Sequence, residues 1–477
     1  MSSQKTYKST SKKQPSPPSG MKKPRISNRG RWLGFGLGLA GVAMLSATAG
    51  AFLAVSMSKT PLMQQKLTAE EAAVFSQNDL AKVNMKMPEL TRPVNILVLG
   101  LKVLSSDLDQ PPKNNATYLT WENSFKGLTD TMMLLRFDPK KKKLTLLSIP
   151  RDTRTNIEGK GLTKINEANY YGGPALAAKS VSSLLGGVGI DRYVVVNIHA
   201  MKSLIDVMGG VDFYVPKDMK YVDESQHLYI DLKAGKQKLN GAQVVQFLLY
   251  RHDDLGDIGR VQRQQLLMRA LSEQFLNFGT LSRLPQILSV IQSHIDTNLT
   301  IEELVALLGF AVQTQKSDVQ MVMLPGAFSD PKEFKASYWL PAQSGIETVV
   351  AEHFDFGSPS WSNEPIDPSY LRVSIQNSTN NDDSESLLVN KLNDGGYHKV
   401  RLSKPWPEPL EVTRIVAQSG NQKDAEMIQK FLGFGDVVVE STGSLQSDVT
   451  IKIGQDWLQK MPASSQLPSS PKSRYKR

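Results

Sequence analysis

Two stretches of the chain concentrate charged side chains where apolar segments stop. The first is TDTMMLLRFDPKKKKLTLLSIPRDTR from Thr129, in which Asp130 opens one apolar run and Arg151 and Asp152 follow the next. The second is YRHDDLGDIGRVQRQQ from Tyr250, which carries Arg251, Asp257, Arg260, Arg263 and Gln264. A guanidinium is planar, stays charged and offers several donors in a fork, which suits phosphate oxygens. Arg151, Arg251 and Arg260 could therefore converge on a pyrophosphate, with Asp130 supplying an oxygen ligand to a hard divalent cation. The bland alternatives are a surface hairpin with charged ends and a solvated helix start.

These residues need elements to hold them. TMMLLRFD and KLTLLSI have the length and apolar density of sheet interiors, and Asp138-Pro139 with four lysines makes a solvated turn between them. A hairpin of this kind places Asp130 and Arg151 at the same end of a sheet. In the second stretch Arg260 and Gln264 sit at i and i+4 on one helical face, and Arg263 lies to the side. Asp257 falls in the glycine-flanked turn GDIGR, where it could cap the helix or hold an arginine. Other apolar runs read as strands at NILVLG (95–100), YVVVNI (193–198), VDFYV (211–215) and VQMVMLP (319–325). Helices are predicted over 164–171, 174–185, 201–208, 242–250, 260–278, 281–294 and 301–314. Alternation of this sort predicts an α/β domain, layered α/β/α around a mixed central sheet.

The formal charge of +10 has a local origin. Residues 1–31 hold nine Lys or Arg and no Asp or Glu, which leaves +1 for everything after them. The basic balance belongs to an arm, and with no helix-turn-helix in view it gives no support to a nucleic-acid partner. Residues 32–57 follow as 26 uncharged residues, a helix of about 39 Å against a hydrocarbon core of about 30 Å. They predict a single-pass transmembrane helix, with a cleaved signal peptide ending near Ala49 as the alternative. The positive arm puts the N-terminus in the cytoplasm and the remaining chain outside the cell membrane. The predicted organisation is a basic tail (1–31), the span (32–57), a linker or helix (58–92), a catalytic domain (93–330), a linker (331–369), a small α/β domain (370–460) and a polar tail (461–477). Cysteine is absent, which excludes thiolate and disulfide chemistry, and no Walker, dinucleotide, HExxH or GxSxG pattern occurs.

The blocks NILVLG, DTMMLLRFDP, LLSIPRDTR, KINEANYYGG, YVVVN, GGVD, KAGKQKLNGAQ and GDIGRVQRQQ, in this order over about residues 93–275, resemble the LytR-CpsA-Psr family of bacterial envelope proteins. The stretch containing DVTIKIGQDW is similar to the LytR C-terminal domain of some members. The resemblance implies a membrane-anchored phosphotransferase that moves a glycopolymer from a polyprenyl pyrophosphate carrier to peptidoglycan, with an apolar groove for the lipid. It implies Asp130 as the ligand of a Mg2+ and Arg151, with Asp257, Arg260 and Gln264, as site residues; Arg251 matches the second of two closely spaced family arginines, and Arg263 is counted with Arg151, Arg251, Arg260 and Gln264 among the residues expected to bind the pyrophosphate. Asp152 or Asp257 would orient or deprotonate the acceptor hydroxyl. Two positions depart from the pattern: Lys102 stands where a second acidic metal ligand is usual, and Leu249 where arginine is usual. Lys102 could carry part of the cation's charge toward the pyrophosphate, or Asp107 could reach in from the loop. A non-catalytic envelope protein that binds polyprenyl-linked saccharide or peptidoglycan is the alternative reading.

Overall fold

The computed structural model describes residues 67–75, 81–82, 88–101, 125, 127–224, 228–250, 256–275, 283–357, 367–379, 381, 383–418, 420–444 and 447–461. The apolar run at 32–57 lies outside them, as do Lys102, Asp107, Arg251 and the side chain of Asp257. Among the described residues no helix is long and apolar enough to cross a membrane.

Val94–Leu101 (β1), Thr129–Asp138 (β2) and Lys143–Ile149 (β3) are strands largely buried along their length. Such strands, covered on both faces, read as continuous apolar runs. The turn between β2 and β3 closes because Asp138 Oδ1 accepts from the main-chain N–H groups of Lys140 and Lys141, both at 3.0 Å. After β3 the chain does not run directly into the helix predicted from Lys164. It makes a hairpin first, Arg154–Ile157 (β4) against Gly161–Lys164 (β5), because Gly159 and Gly161 adopt positive φ and turn the chain back. Glu167–Leu184 (α1) follows, broken at Gly172 and Gly173 before Pro174, where the sequence predicts a division between two helices.

Arg192–Asn197 (β6) leads into Ile198–Val207 (α2), whose first turn is capped by Asn197 accepting from Ala200 N at 2.8 Å. Val211–Val215 (β7), Met219–Asp223 (β8), Leu228–Leu232 (β9) and Gly235–Leu239 (β10) make two antiparallel ribbons, β7 with β10 and β8 with β9. Gly241–Leu249 (α3), Gly256–Phe275 (α4), Leu284–His294 (α5), Ile295–Thr297 (β11), Ile301–Gln313 (α6) and Val319–Met323 (β12) complete this half. The main sheet has the order β11-β6-β1-β2-β3-β12 and is mixed: β1 with β6 and β3 with β12 are parallel, the other neighbours antiparallel. The carboxyl ends of β1, β3, β6 and β12 therefore share an edge with the start of β2. Leu97, Leu99, Leu134 and Leu147 on this sheet pack with Ala177, Ala178 and Val181 of α1 in one apolar core. Arg192 is locked to Glu303 of α6 by a bidentate, buried ion pair, with Nε to Oε2 at 3.0 Å and Nη2 to Oε1 at 2.6 Å.

The segment 331–369, predicted as a linker, is built differently. Gly326–Phe328 (β13) pairs with Trp339–Pro341 (β14), and Gln343–Phe354 (α7) drives Ile346, Val349, Val350 and Phe354 into the same core. The helical spacing of those apolar residues prevails over the proline and serine signals that follow them. Arg372–Asn377 (β15), Asp383–Asp394 (α8), Lys399–Leu402 (β16), Arg414–Ala417 (β17), Gln422–Leu432 (α9), Asp436–Val439 (β18) and Val449–Ile453 (β19) form a second sheet of order β16-β15-β19-β17-β18. The runs LRVSIQNST (371–379) and TRIVAQ (413–418) predict two strands in succession, and the structure places α8 between them. The two sheets meet at β12 and the end of β18, where Met321 and Glu440 form a parallel bridge, and the apolar core runs through both.

Candidate functional site

Asp130 is the second residue of β2 and Arg151 is the second residue beyond β3, so the hairpin delivers both to one edge of the main sheet. Arg151 Nη1 donates to Asp130 Oδ1 at 2.5 Å. Arg260, one turn inside α4, reaches the same oxygen with Nη1 at 3.3 Å. Four residues on, Gln264 Nε2 donates to Thr131 Oγ1 at 2.6 Å, which ties the same helical face to the same strand. Asp152 is buried, with Oδ1 at 2.8 Å from Lys164 Nζ and Oδ2 at 3.7 Å from Arg151 Nε. Among the described residues here, Arg151, Arg260 and Lys164 face two carboxylates, Asp130 and Asp152.

The side chains of Arg151, Asp130 and Arg260 keep 25%, 17% and 11% of their exposure, enough for a phosphate oxygen to reach the guanidinium groups while the surroundings stay poorly screened. Such an edge is where ligands of open α/β sheets generally bind.

Not every expected residue joins this cluster. Arg263, expected to bind pyrophosphate, turns instead to the carbonyl of Tyr250 and is buried, which lowers its pKa to about 10. The reason is helical geometry: roughly 100° per residue carries position 263 off the face shared by Arg260 and Gln264. The main chain of Asp257 lies in the first turn of α4, ahead of Arg260. Leu249, where the family pattern has arginine, is half-buried against the apolar cluster of Val211, Phe213, Val244 and Phe247. Thr131, Lys164 and Gln265 are contributors that the sequence reading missed. Lys164 reaches Asp152 only because the β4–β5 hairpin, where the sequence predicts a helix start, sets it in register opposite Arg154.

The expected Mg2+ has one described protein ligand here. Among the described residues no group of three His, Asp or Glu side chains stands ready for a metal. Asp130 fits the role in the way Mg2+ usually takes it, as one carboxylate whose remaining partners are substrate phosphates and water.

Fold and site together define a mixed α/β protein in which two arginines meet on one aspartate at the edge of the main sheet. Residues 57–354 match the model of the LytR_cpsA_psr family, and residues 370–457 match that of the LytR cell envelope-related transcriptional attenuator. The first match spans more than half of the chain, which belongs to the LytR_cpsA_psr family. Regulatory protein MsrR of Staphylococcus aureus (strain COL) is 34% identical over 200 residues, 41% of this chain and 59% of that protein. Polyisoprenyl-teichoic acid--peptidoglycan teichoic acid transferase TagU of Bacillus mycoides (strain KBAB4) is 33% identical over 216 residues, 45% of this chain and 63% of that protein. The chain thus spans less than two thirds of the length of these curated relatives. The solved structure of B. subtilis TagV is 26% identical with a TM-score of 0.45, covering 56% of this chain and 99% of that one. Protein gbs0355 from Streptococcus agalactiae is 21% identical with a TM-score of 0.48, covering 57% of this chain and 91% of that one.

Proposed function

We propose that this protein transfers a glycopolymer from a polyprenyl pyrophosphate carrier to peptidoglycan, anchored in the cell membrane by residues 32–57 with its folded part outside. The observation that carries the reading is the meeting of Arg151 and Arg260 on Asp130 Oδ1. A diphosphate arriving there exchanges one carboxylate oxygen for several phosphate oxygens, each able to accept from a guanidinium. The name of the B. mycoides relative, with a polyisoprenyl-linked donor and a peptidoglycan acceptor, supports the same class of donor and acceptor for this chain.

In the proposed reaction an acceptor sugar hydroxyl attacks the phosphorus nearer the glycopolymer. A new P–O bond forms, the P–O bond to the distal phosphate breaks, and polyprenyl phosphate leaves with the released charge. Arg151 and Arg260 offset that charge as it develops. The hydroxyl proton passes to a carboxylate, with Asp257 and Asp152 as candidates. Asp152 is already engaged by Lys164 and Arg151, which suits it to orienting Arg151, so Asp257 is the better acceptor of the proton. Mg2+ bound at Asp130 would supply Lewis-acid stabilisation of the phosphate oxygens.

A second reading, a non-catalytic binder of lipid-linked saccharide, takes support from Leu249, which is packed into an apolar cluster where the family pattern has a charge. The two separate in a purified system with polyprenyl pyrophosphate-linked oligosaccharide and peptidoglycan fragments. The transferase reading expects stoichiometric polyprenyl phosphate and glycan-bearing peptidoglycan. Tight donor binding with neither product leaves the binder.

A further inference from the structure

Helix α4 presents two polar stripes to two different parts of the molecule. Arg260 and Gln264 face β2, as described. Gln262, Gln265 and Arg269 lie roughly opposite them at about 100° per residue, and all three meet one short run of the second sheet's domain, Glu440–Gly443. Gln262 Nε2 donates to Gly443 O at 2.9 Å, and Gln265 Oε1 accepts from Ser441 N at 2.9 Å. Arg269 pairs with Glu440 and donates to Thr442 Oγ1 at 3.4 Å. The run is itself held on both sides: Met323 N of β12 donates to Ser441 Oγ at 3.0 Å, and the buried Lys452 of β19 donates to Thr442 Oγ1 at 2.7 Å. Gln265 also donates to Ser148 Oγ of β3 at 3.3 Å, only three residues before Arg151.

Apolar packing lets a helix roll or slide by small amounts, whereas directional hydrogen bonds from buried amides fix its rotation, because a displaced amide loses its partners and stays out of water. Gln265 is 2% exposed. We infer that the Glu440–Gly443 run is a clamp on α4, and that Gln265 is the positioning residue through which the second domain and β3 hold Arg260 in line with Arg151 over Asp130. This gives the second domain a part in the site that lies on the first, and it rests on the diphosphate-binding reading above.

The test is a double-mutant cycle on the full chain in detergent, with farnesyl diphosphate as the probe and calorimetric Kd as the readout. Arg260→Ala should weaken binding about 10- to 100-fold. Gln265→Leu should weaken it about tenfold. Because Gln265 acts through Arg260, the double variant should bind no more than about twofold worse than Arg260→Ala alone. Wild-type binding by Gln265→Leu, or losses that multiply in the double variant, would overturn the inference; multiplied losses are what a merely structural role produces. If Gln265→Leu does not fold, Gln262→Leu takes its place in the cycle with a several-fold loss expected, under the same criteria. Failure of the wild type to bind the probe would instead remove the diphosphate reading, and this inference with it.

Discussion

Arg151 and Arg260 donate to the same oxygen, Oδ1 of Asp130, at 2.5 and 3.3 Å, although one follows a strand of the hairpin and the other sits in a helix far along the chain. On the proposed reading an incoming diphosphate would offer both guanidinium groups several phosphate oxygens in place of this one carboxylate oxygen.

Replacing Arg151 or Arg260 by Ala should lower glycopolymer transfer by about 100-fold or more, the scale of a lost charge-stabilising donor. Circular dichroism should stay that of the wild type, because both side chains are at the sheet edge and outside the apolar core. Lysine at either position should recover only part of the rate, since an ammonium cannot reproduce the fork. Transfer by Arg151→Ala at the wild-type rate would remove the assignment.

On the proposed reading Asp130 has two tasks, aligning the arginines and offering a carboxylate to Mg2+. Treatment with a chelator should stop transfer and added Mg2+ restore it. Asp130→Asn should raise the Mg2+ concentration giving half-maximal rate about tenfold or more, the range seen when a metal site loses a supporting group. An unchanged Mg2+ titration in that variant would take the metal away from Asp130.

The ion pair between Arg192 and Glu303 tests stability apart from chemistry. Glu303 Oε2 also accepts from the N–H of Thr300 at 3.0 Å, so the pair secures the start of α6 as well as β6. Arg192→Met leaves a buried carboxylate unpaired and should cost about 3–5 kcal/mol in urea unfolding. The rate of transfer by the folded fraction should be unchanged.

The contact between the two sheets should respond to pH in two opposed ways. His353 is buried with its ring nitrogens 3.1 Å from Gln320 Oε1 and 3.2 Å from Gly420 O. Burial first, and then the nearby Lys143 and Lys141, push its pKa down to about 4 from 6.5, against the raising effect of Gly420. The unfolded chain therefore binds the proton more readily between these values. Stability from this group is full above pH 6.5 and is lost as the pH falls toward 4. Asp424 behaves the other way: burial first, then Asp448 and Glu352, raise its pKa to about 6 from 3.8. Its contribution is lost as the pH rises through that window. Melting temperatures between pH 4 and 7 should show His353→Gln gaining on the wild type toward acid, and Asp424→Asn gaining on it as the pH rises from 4 to 6 and keeping that lead above. Parallel curves for all three proteins would contradict both assignments.

Much of the site could be read from local pattern. The period and length of β2 and β3 put Asp130 and Arg151 at one end of a hairpin, and the i, i+4 spacing put Arg260 and Gln264 on one helical face. Both depend on backbone geometry alone, which near neighbours in the chain determine. That Arg263 turns away from the cluster, that Lys164 neutralises Asp152, and that α7 fills the interval expected to be a linker all depend on partners remote in sequence. Composition placed a second α/β unit after residue 370, while its contact with α4 through Glu440–Gly443 had no local signature. Residue types and their spacing were enough to pick out the side chains suited to a phosphate and the strands and helices that carry them. That two of those arginines share one oxygen, and that a second domain is hydrogen-bonded to the helix carrying one of them, comes from the three-dimensional fold, because buried hydrogen bonds are satisfied between elements whose separation along the chain leaves no periodic trace.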